Sequence, residues 1–252
     1  KNRPETSMNW ILRSHRRYHV RTVPIVCVNA FLFLFLFAAA VGAETTVGRI
    51  GVLAHRGDEA ALKAWTPTAN YLSERIPNVR FEIVPLDNDT INAAVESRSV
   101  SFVLTNPASY ANLEHQYGVT RIATLRNQGL GGSFTQFGAV IFARADRGIT
   151  TLKDLRGVRM MAVHPDAFGG WWMVCRELKA AGIEIDDLGD LVFNGFPQDE
   201  IVMAVRDGHA DAGTVRTDTL ERLASENKIV LDQFRVINLR VEPGFPFMTS
   251  TR

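Results

Sequence analysis

The segment Gln198-Asp199-Glu200-Ile201-Val202-Met203-Ala204-Val205-Arg206-Asp207-Gly208-His209-Ala210-Asp211-Ala212-Gly213-Thr214-Val215-Arg216-Thr217 decides the fold. Apolar residues at helical spacing, with charges between them, predict a short amphipathic helix over Asp199–Arg206. Gly208 is placed to end it. The small-residue run Ala210–Val215 then predicts a strand, with Arg216 at its exit and a helix from Thr217 to Ser225.

The same alternation extends in both directions. Strands are predicted at Val47–Leu53, Phe81–Leu86, Val100–Leu104, Phe137–Arg144, Val158–Val163, Leu191–Phe193 and Phe234–Val241. Helices are predicted at Asp58–Ile76, Ile91–Ser97, Ala108–Tyr117 and Phe168–Ala181. In the first, Ala61, Leu62, Trp65, Ala69, Leu72 and Ile76 form the apolar stripe. Asp89-Thr90 is placed to cap the second, and a loop rich in Gly129, Gly131 and Gly132 precedes Phe137. Strands alternating with helices imply an α/β fold of mainly parallel sheets flanked by helices.

The N-terminus reads differently. Arg13, Arg16, Arg17 and Arg21 precede an apolar run from Val23 to Val41, and Val41-Gly42-Ala43 offers small residues at a cleavage position. These are the parts of a secretory signal peptide over residues 1–43. An uncleaved signal-anchor is the alternative, because the run approaches the ~20 residues that span a bilayer. Either way the remainder is expected in the periplasm. Cys27 has no lipobox before it, and Cys175 is then the single cysteine after the signal, expected as a buried apolar residue.

Charge excludes one function class. Residues 1–43 hold six of the 28 Lys and Arg and one of the 27 Asp and Glu, leaving 22 basic against 26 acidic side chains. No basic face survives, so no nucleic-acid partner is expected. No His, Cys or acidic cluster recurs at ligand spacing, so neither metal nor cofactor is expected. Gly-x-Ser-x-Gly, His-Glu-x-x-His and Walker signatures are absent, and no catalytic residue is assigned; an enzyme on the same fold is the lesser alternative, with only the neighbouring His164 and Asp166 to offer as an acid/base pair.

The Gln198–Thr217 stretch resembles the second-lobe signature of the periplasmic phosphate/phosphite/phosphonate-binding family, which has a two-lobed type II binding-protein fold. Thr151-Leu152-Lys153-Asp154-Leu155-Arg156-Gly157 resembles the turn leading into lobe two across many type II binding proteins. Asn106-Pro107-Ala108-Ser109-Tyr110, Gln136–Phe142 and Gly213–Thr217 together look most like ectodomains of tetrathionate-sensor-type histidine kinases, as does the tail Pro243–Arg252. The resemblance implies a binding module with lobe one at about 44–137 plus 242–252 and lobe two at about 143–237. It also implies that the closing helices of the fold are missing after Val241, so the chain is expected to be a fragment or a truncated gene.

Two positions depart from the pattern. Phosphonate binders carry a Ser-Thr-Ser-Gly loop where this chain has Pro165-Asp166-Ala167-Phe168-Gly169-Gly170, and a His where it has Gln198. The resemblance therefore carries over a small anionic ligand but not phosphonate itself. Partners implied are a sensor dimer or an ABC permease, with the membrane reached through the N-terminal segment or a missing C-terminal part.

In such folds the cleft lies at the C-terminal strand ends, where helix N-termini offer N–H groups to an anion. Position nominates Asn106, Tyr110, Thr135, Gln136, Phe168, Gly169, Gln198, Arg216 and Thr217 as ligand-binding. Arg216 leads, because a guanidinium clamps an oxyanion bidentately; the alternative is an ion pair with Asp218 or Glu221. Asn106 orients a ligand or caps its helix. Gly169 allows close backbone approach or serves a plain turn, and Tyr110 and Phe168 line the cleft or pack in the core. His55 and His164 follow strands and read as hydrogen-bonded loop residues. Of the adjacent Trp171 and Trp172, one is expected in the core.

Overall fold

A computed structural model describes residues 45–129 and 132–237. The signal segment, Gly131, and the tail from residue 238 onward, including Pro243–Arg252, lie outside the described residues.

Two sheets organise the chain. The first contains β1 (Thr46–Leu53), β2 (Val79–Leu86) and β3 (Phe102–Leu104), all parallel in the order β2-β1-β3. Parallel neighbours require crossovers, supplied by α1 (Asp58–Arg75) and α2 (Ile91–Glu96); α3 (Pro107–Tyr117) follows β3. Glycines make the central strand pack: a Cβ on Gly51 would stand 2.6 Å from Leu86 Cδ1 and 3.2 Å from Val100 Cγ1. Val52, Ala54 and Ala61 form one small core, and Leu86, Ile91, Ala94, Val100 and Leu113 the other.

A hairpin of β4 (Asn127–Gly129) and β5 (Gly132–Phe134) occupies what the sequence marks as a glycine loop. The second sheet holds β6 (Ala139–Arg144), β7 (Arg159–Ala162), β8 (Asp190–Phe193), β9 (Ala212–Arg216) and β10 (Phe234–Val236) in the order β10-β6-β9-β7-β8. It is mixed: β7 runs parallel to β8 and β9, while β6 is antiparallel to β9 and β10. Residues Ala139 to Ala143 are wholly buried. With a period of two, Ala139, Ile141 and Ala143 enter the core under α4 (Met173–Ala180), and Val140 and Phe142 enter the core under α5 (Asp199–Asp207) and α6 (Thr219–Ser225). A strand buried on both faces reads as one apolar run, as Phe137–Phe142 does.

The opening segment folds as its residue types require. Ile201, Val202 and Val205 are fully buried on α5, and Gly208 closes the helix with φ of 82°. Gly213 has no side chain because Phe142, Val205 and Ile201 fill its space: a Cβ there would lie 2.9–3.0 Å from atoms of all three. Small residues in β9 thus seat α5 directly on the sheet.

Several expectations shift. The stripe on α1 is narrower than its periodicity implies: Ala61 and Ala69 are buried, while Leu62 and Ile76 are exposed. The helix following β7 opens with a π-helical turn at Phe168–Trp172 before α4. The Thr90 side chain makes no cap bond to the amides of α2; its Oγ1 accepts from Asp87 N at 3.0 Å, and Asp87 Oδ1 accepts from the Thr90 and Asp89 amides, at 2.8 and 3.0 Å. Thr217 precedes α6, whose N-cap Asp218 has φ of 73°. Trp171 is buried edge-on to Phe193, whereas Trp172 is 41% exposed and donates from Nε1 to Pro165 O. Cys175 is half-buried, which pushes its thiol up.

Candidate functional site

Arg216 ends β9, and three other strand ends meet it. Its guanidinium lies 4.7 Å from the centre of the Phe137 ring, a cation–π contact. Nη1 stands 3.4 Å from Nε2 of His55, in the turn after β1, and Nε is 3.3 Å from Asp218 Oδ1. The Nε–Asp218 approach is an ion pair without hydrogen-bond alignment, so the Nε–H lacks an acceptor among the described residues. Asp218 is shared: Arg222 Nη2 reaches Oδ2 at 3.2 Å. Two guanidinium groups therefore meet one carboxylate. The second carboxyl nearby, Glu221, is pushed upward by burial and by Asp218. Only 14% of the Arg216 side chain is exposed, so its field is poorly screened.

His55 must be neutral to accept from Arg216. Burial, then the Arg216 charge, depresses its pKa to about 3.

Gln198 is the joint of the site. It is 4% exposed; its backbone N–H donates to His55 O at 3.0 Å, and its Oε1 accepts from Arg216 N at 2.8 Å. The amide thus ties the loop after β1 to the end of β9. Thr217 Oγ1 accepts from Gly138 N, and Thr217 N donates to Gly138 O at 3.0 Å, closing the β6–β9 pair beside Arg216. Gly169 is compressed into the same place: a Cβ would lie 2.7 Å from Gly138 O and 3.1 Å from Arg216 Cβ. Phe168 meets Phe137 edge-on at 5.4 Å. The N-terminal turn of the helix following β7 therefore abuts the arginine.

The other nominated residues are placed otherwise. Asn106 is the N-cap of α3, its side chain accepting from Ser109 N at 2.9 Å, with Pro107 at the first helical position. The Tyr110 hydroxyl bonds Glu114, one turn along the same helix. Thr135 and Gln136 are exposed beyond the β4–β5 hairpin. α3 touches the Phe168–Trp172 turn.

Sequence reasoning missed Arg56. Its Nε and Nη2 reach Asp199 Oδ1 and Oδ2 at 3.0 and 2.6 Å, at the start of α5. Nη1 and Nη2 reach Glu226 Oε1 and Oε2 at 2.5 and 2.8 Å, at the end of α6. One planar fork holds two carboxylates bidentately, and Arg56 holds Glu226 down at about 2. Adjacency to His55 was the available signal, but the sequence does not reveal which distant carboxylates the loop meets. Arg56→Met is expected to cost about 1–3 kcal/mol, because Asp199 and Glu226 are left with Lys228 alone. It should also loosen the joint between the two sheets. Denaturant titration and small-angle scattering check this; an unchanged midpoint and radius of gyration would refute it.

A cavity of about 270 Å³ lies between loops of the two sheets, and none of the nine nominated residues lines it. Among the described residues no group of His, Cys, Asp or Glu could hold a metal ion, and no helix is long and apolar enough to cross a membrane.

Comparison with known proteins gives three findings. Residues 50–250 match the family described as the periplasmic phosphonate substrate-binding protein of an ABC transporter. The tetrathionate sensor histidine kinase TtrS of Salmonella typhimurium is 35% identical over 211 residues, covering 83% of this chain and 36% of that protein. The chain thus spans about a third of that relative. Among solved structures, PhnD1 from Prochlorococcus marinus in complex with methylphosphonate superposes with a TM-score of 0.66 at 17% identity, covering 77% of this chain and 72% of that one. A binding component of a phosphonate ABC transporter from Pseudomonas aeruginosa follows with a TM-score of 0.60 at 13% identity, covering 77% and 65%. At these identities the structures establish the α/β binding-protein fold.

Proposed function

Because the chain belongs to the family of periplasmic phosphonate substrate-binding proteins, we propose that it captures a small oxyanion or organic anion between two lobes, as the sensory ectodomain of a two-component histidine kinase. Arg216 carries the reading. It is a buried cation at a strand end that shares its one carboxylate with Arg222, beside a helix N-terminus. Such a place favours an incoming oxyanion, because the Arg216 Nε–H lacks an acceptor among the described residues and the first turn of a helix carries partial positive charge.

The lobes are those of the sequence reading, about 44–137 plus 242–252 and about 143–237, and residues 1–43 serve export or anchoring. Arg56, Gln198 and the contact of His164 with Asp89 span the two sheets, as a closed cleft requires. Closure about the connecting segments is the signal. The 35% identity to a tetrathionate sensor supports the sensory role. The family description favours the second reading, a substrate-binding component delivering its ligand to an ABC permease. Both are non-catalytic.

Thermal denaturation of the purified protein against tetrathionate, thiosulfate, sulfate, phosphate, methylphosphonate and small dicarboxylates tests the proposal. A ligand bound only by the folded state raises the melting temperature with concentration, adding about 2.7 kcal/mol at a hundredfold excess over Kd. No shift with any anion would overturn anion capture. A shift confined to phosphonates would favour the transporter reading.

A further inference from the structure

We propose that the acidic cavity between the two sheets is a binding site for a small organic ammonium ion. It lies among the loops after β1, β2, β7 and β8, and is lined by Asp58, Asp87, Asn88, Asp89, His164 and Asn194, with Phe196 as an aromatic wall. Its volume of about 270 Å³ approaches the lower end of small-molecule pockets, about 300 Å³. Neither lysine nor arginine lines it.

Local structure uses only part of this acceptor set. Asp87 Oδ1 is committed to the turn before α2, taking the Thr90 hydroxyl at 2.7 Å as well as two amides. Asp89 Oδ1 stands 3.2 Å from His164 Nε2. Nδ1 of His164 stands 3.1 Å from Asp166 N and 4.0 Å from Asp166 Oδ2, so the ring sits between the two carboxylates. Asn194 spends its amide N–H on Glu200. Asp58 suits the first turn of α1, where an acid complements the helix dipole, yet among the described residues no hydrogen bond or ion pair involves its carboxylate.

Asn88 points independently to a ligand. It is 6% exposed, lines the cavity, and its Oδ1 finds no donor among the described residues. A buried acceptor is costly to leave unmet, so a donor belongs opposite it. Among the described residues no three acidic, cysteine or histidine groups converge to hold a metal ion. Spaced carboxylates, an amide oxygen and an aromatic wall suit instead the several N–H donors and short apolar body of an alkylammonium. This site does not depend on anion capture at Arg216, and the two readings fail separately.

The test is isothermal titration of the full chain with ethanolamine and putrescine hydrochlorides, against sodium chloride at matched ionic strength. Saturable binding is expected, weakened about tenfold or more by Asp58→Asn and by Asp89→Asn. Asp232→Asn removes a distant exposed charge and should leave affinity unchanged. Circular dichroism establishes that each variant is folded. Absence of saturable binding, equal weakening by Asp232→Asn, or displacement of the amine by Mg²⁺ or Ca²⁺ at equal concentration would each overturn the proposal.

Discussion

Arg216→Ala is expected to lower affinity for the captured anion by about a hundredfold or more, roughly 3 kcal/mol, because a charge-assisted bond in a partly buried cleft is lost. The fold should survive. The Arg216 backbone N–H still bonds Gln198, and Asp218 keeps Arg222 at 3.2 Å, so removing the side chain leaves no isolated buried carboxylate. The contact with the Phe137 ring is lost as well, which costs about 1 kcal/mol of stability. Arg216→Lys separates charge from shape: an ammonium retains attraction but not the planar fork, and should recover only part of the affinity. Titration with the anion identified by thermal shift decides the matter. Unchanged affinity in a folded Arg216→Ala protein would place the anion elsewhere.

The second large effect is acid lability centred on His55. Its pKa is about 3 in the folded protein against 6.5 for an ordinary histidine, through burial and the neighbouring Arg216 charge. The native state thus binds fewer protons than the unfolded chain between these values, and stability rises with pH across that window. The contribution is complete above 6.5 and is lost as pH falls, at about 1.4 kcal/mol per unit. Between about pH 6.5 and 4.5 the loss should reach about 3 kcal/mol. Glu226 and Asp154, both held near 2, begin to contribute only below their ordinary values near 4, whereas Glu221, pushed upward by burial, acts in the opposite sense, so the comparison with a His55 variant isolates the histidine. Denaturant midpoints at about pH 7, 6 and 5 measure the slope. His55→Gln retains an acceptor for Arg216 without a titrating ring and should flatten it. An equal slope in that variant would exclude His55 as its source.

These two residues show how the site differs from its parts in sequence. The position of Arg216 was legible because it ends a strand in a βα alternation, and strand ends line clefts whatever lies between. His55 also follows a strand, yet its type and position read as an ordinary hydrogen-bonded loop histidine. Its importance comes from the arginine it meets 161 residues away. Arg56 was invisible for the same reason, since its carboxylates lie 143 and 170 residues away. Asn106 was ambiguous, and the Ser109 amide commits its oxygen to capping. Tyr110 was nominated for a cleft, but its hydroxyl meets Glu114, a pairing available four residues along any helix.

By itself the sequence determined the α/β alternation, the buried strand β6 and the α5–β9 unit. These follow from periodicity, glycine placement and side-chain size, which act within a few residues. It also determined the family, through that unit and the residues around it. Only the tertiary structure decided that the second sheet is mixed, that α1 buries little more than Ala61 and Ala69, and that Arg56 and Gln198 join the two sheets. It alone brought Asp58, Asn88 and Asp89 to one cavity. The physical reason is range. Helix and strand patterns are set by neighbours along the chain, whereas charge pairing, desolvation and unmet acceptors depend on groups that meet only when distant loops converge.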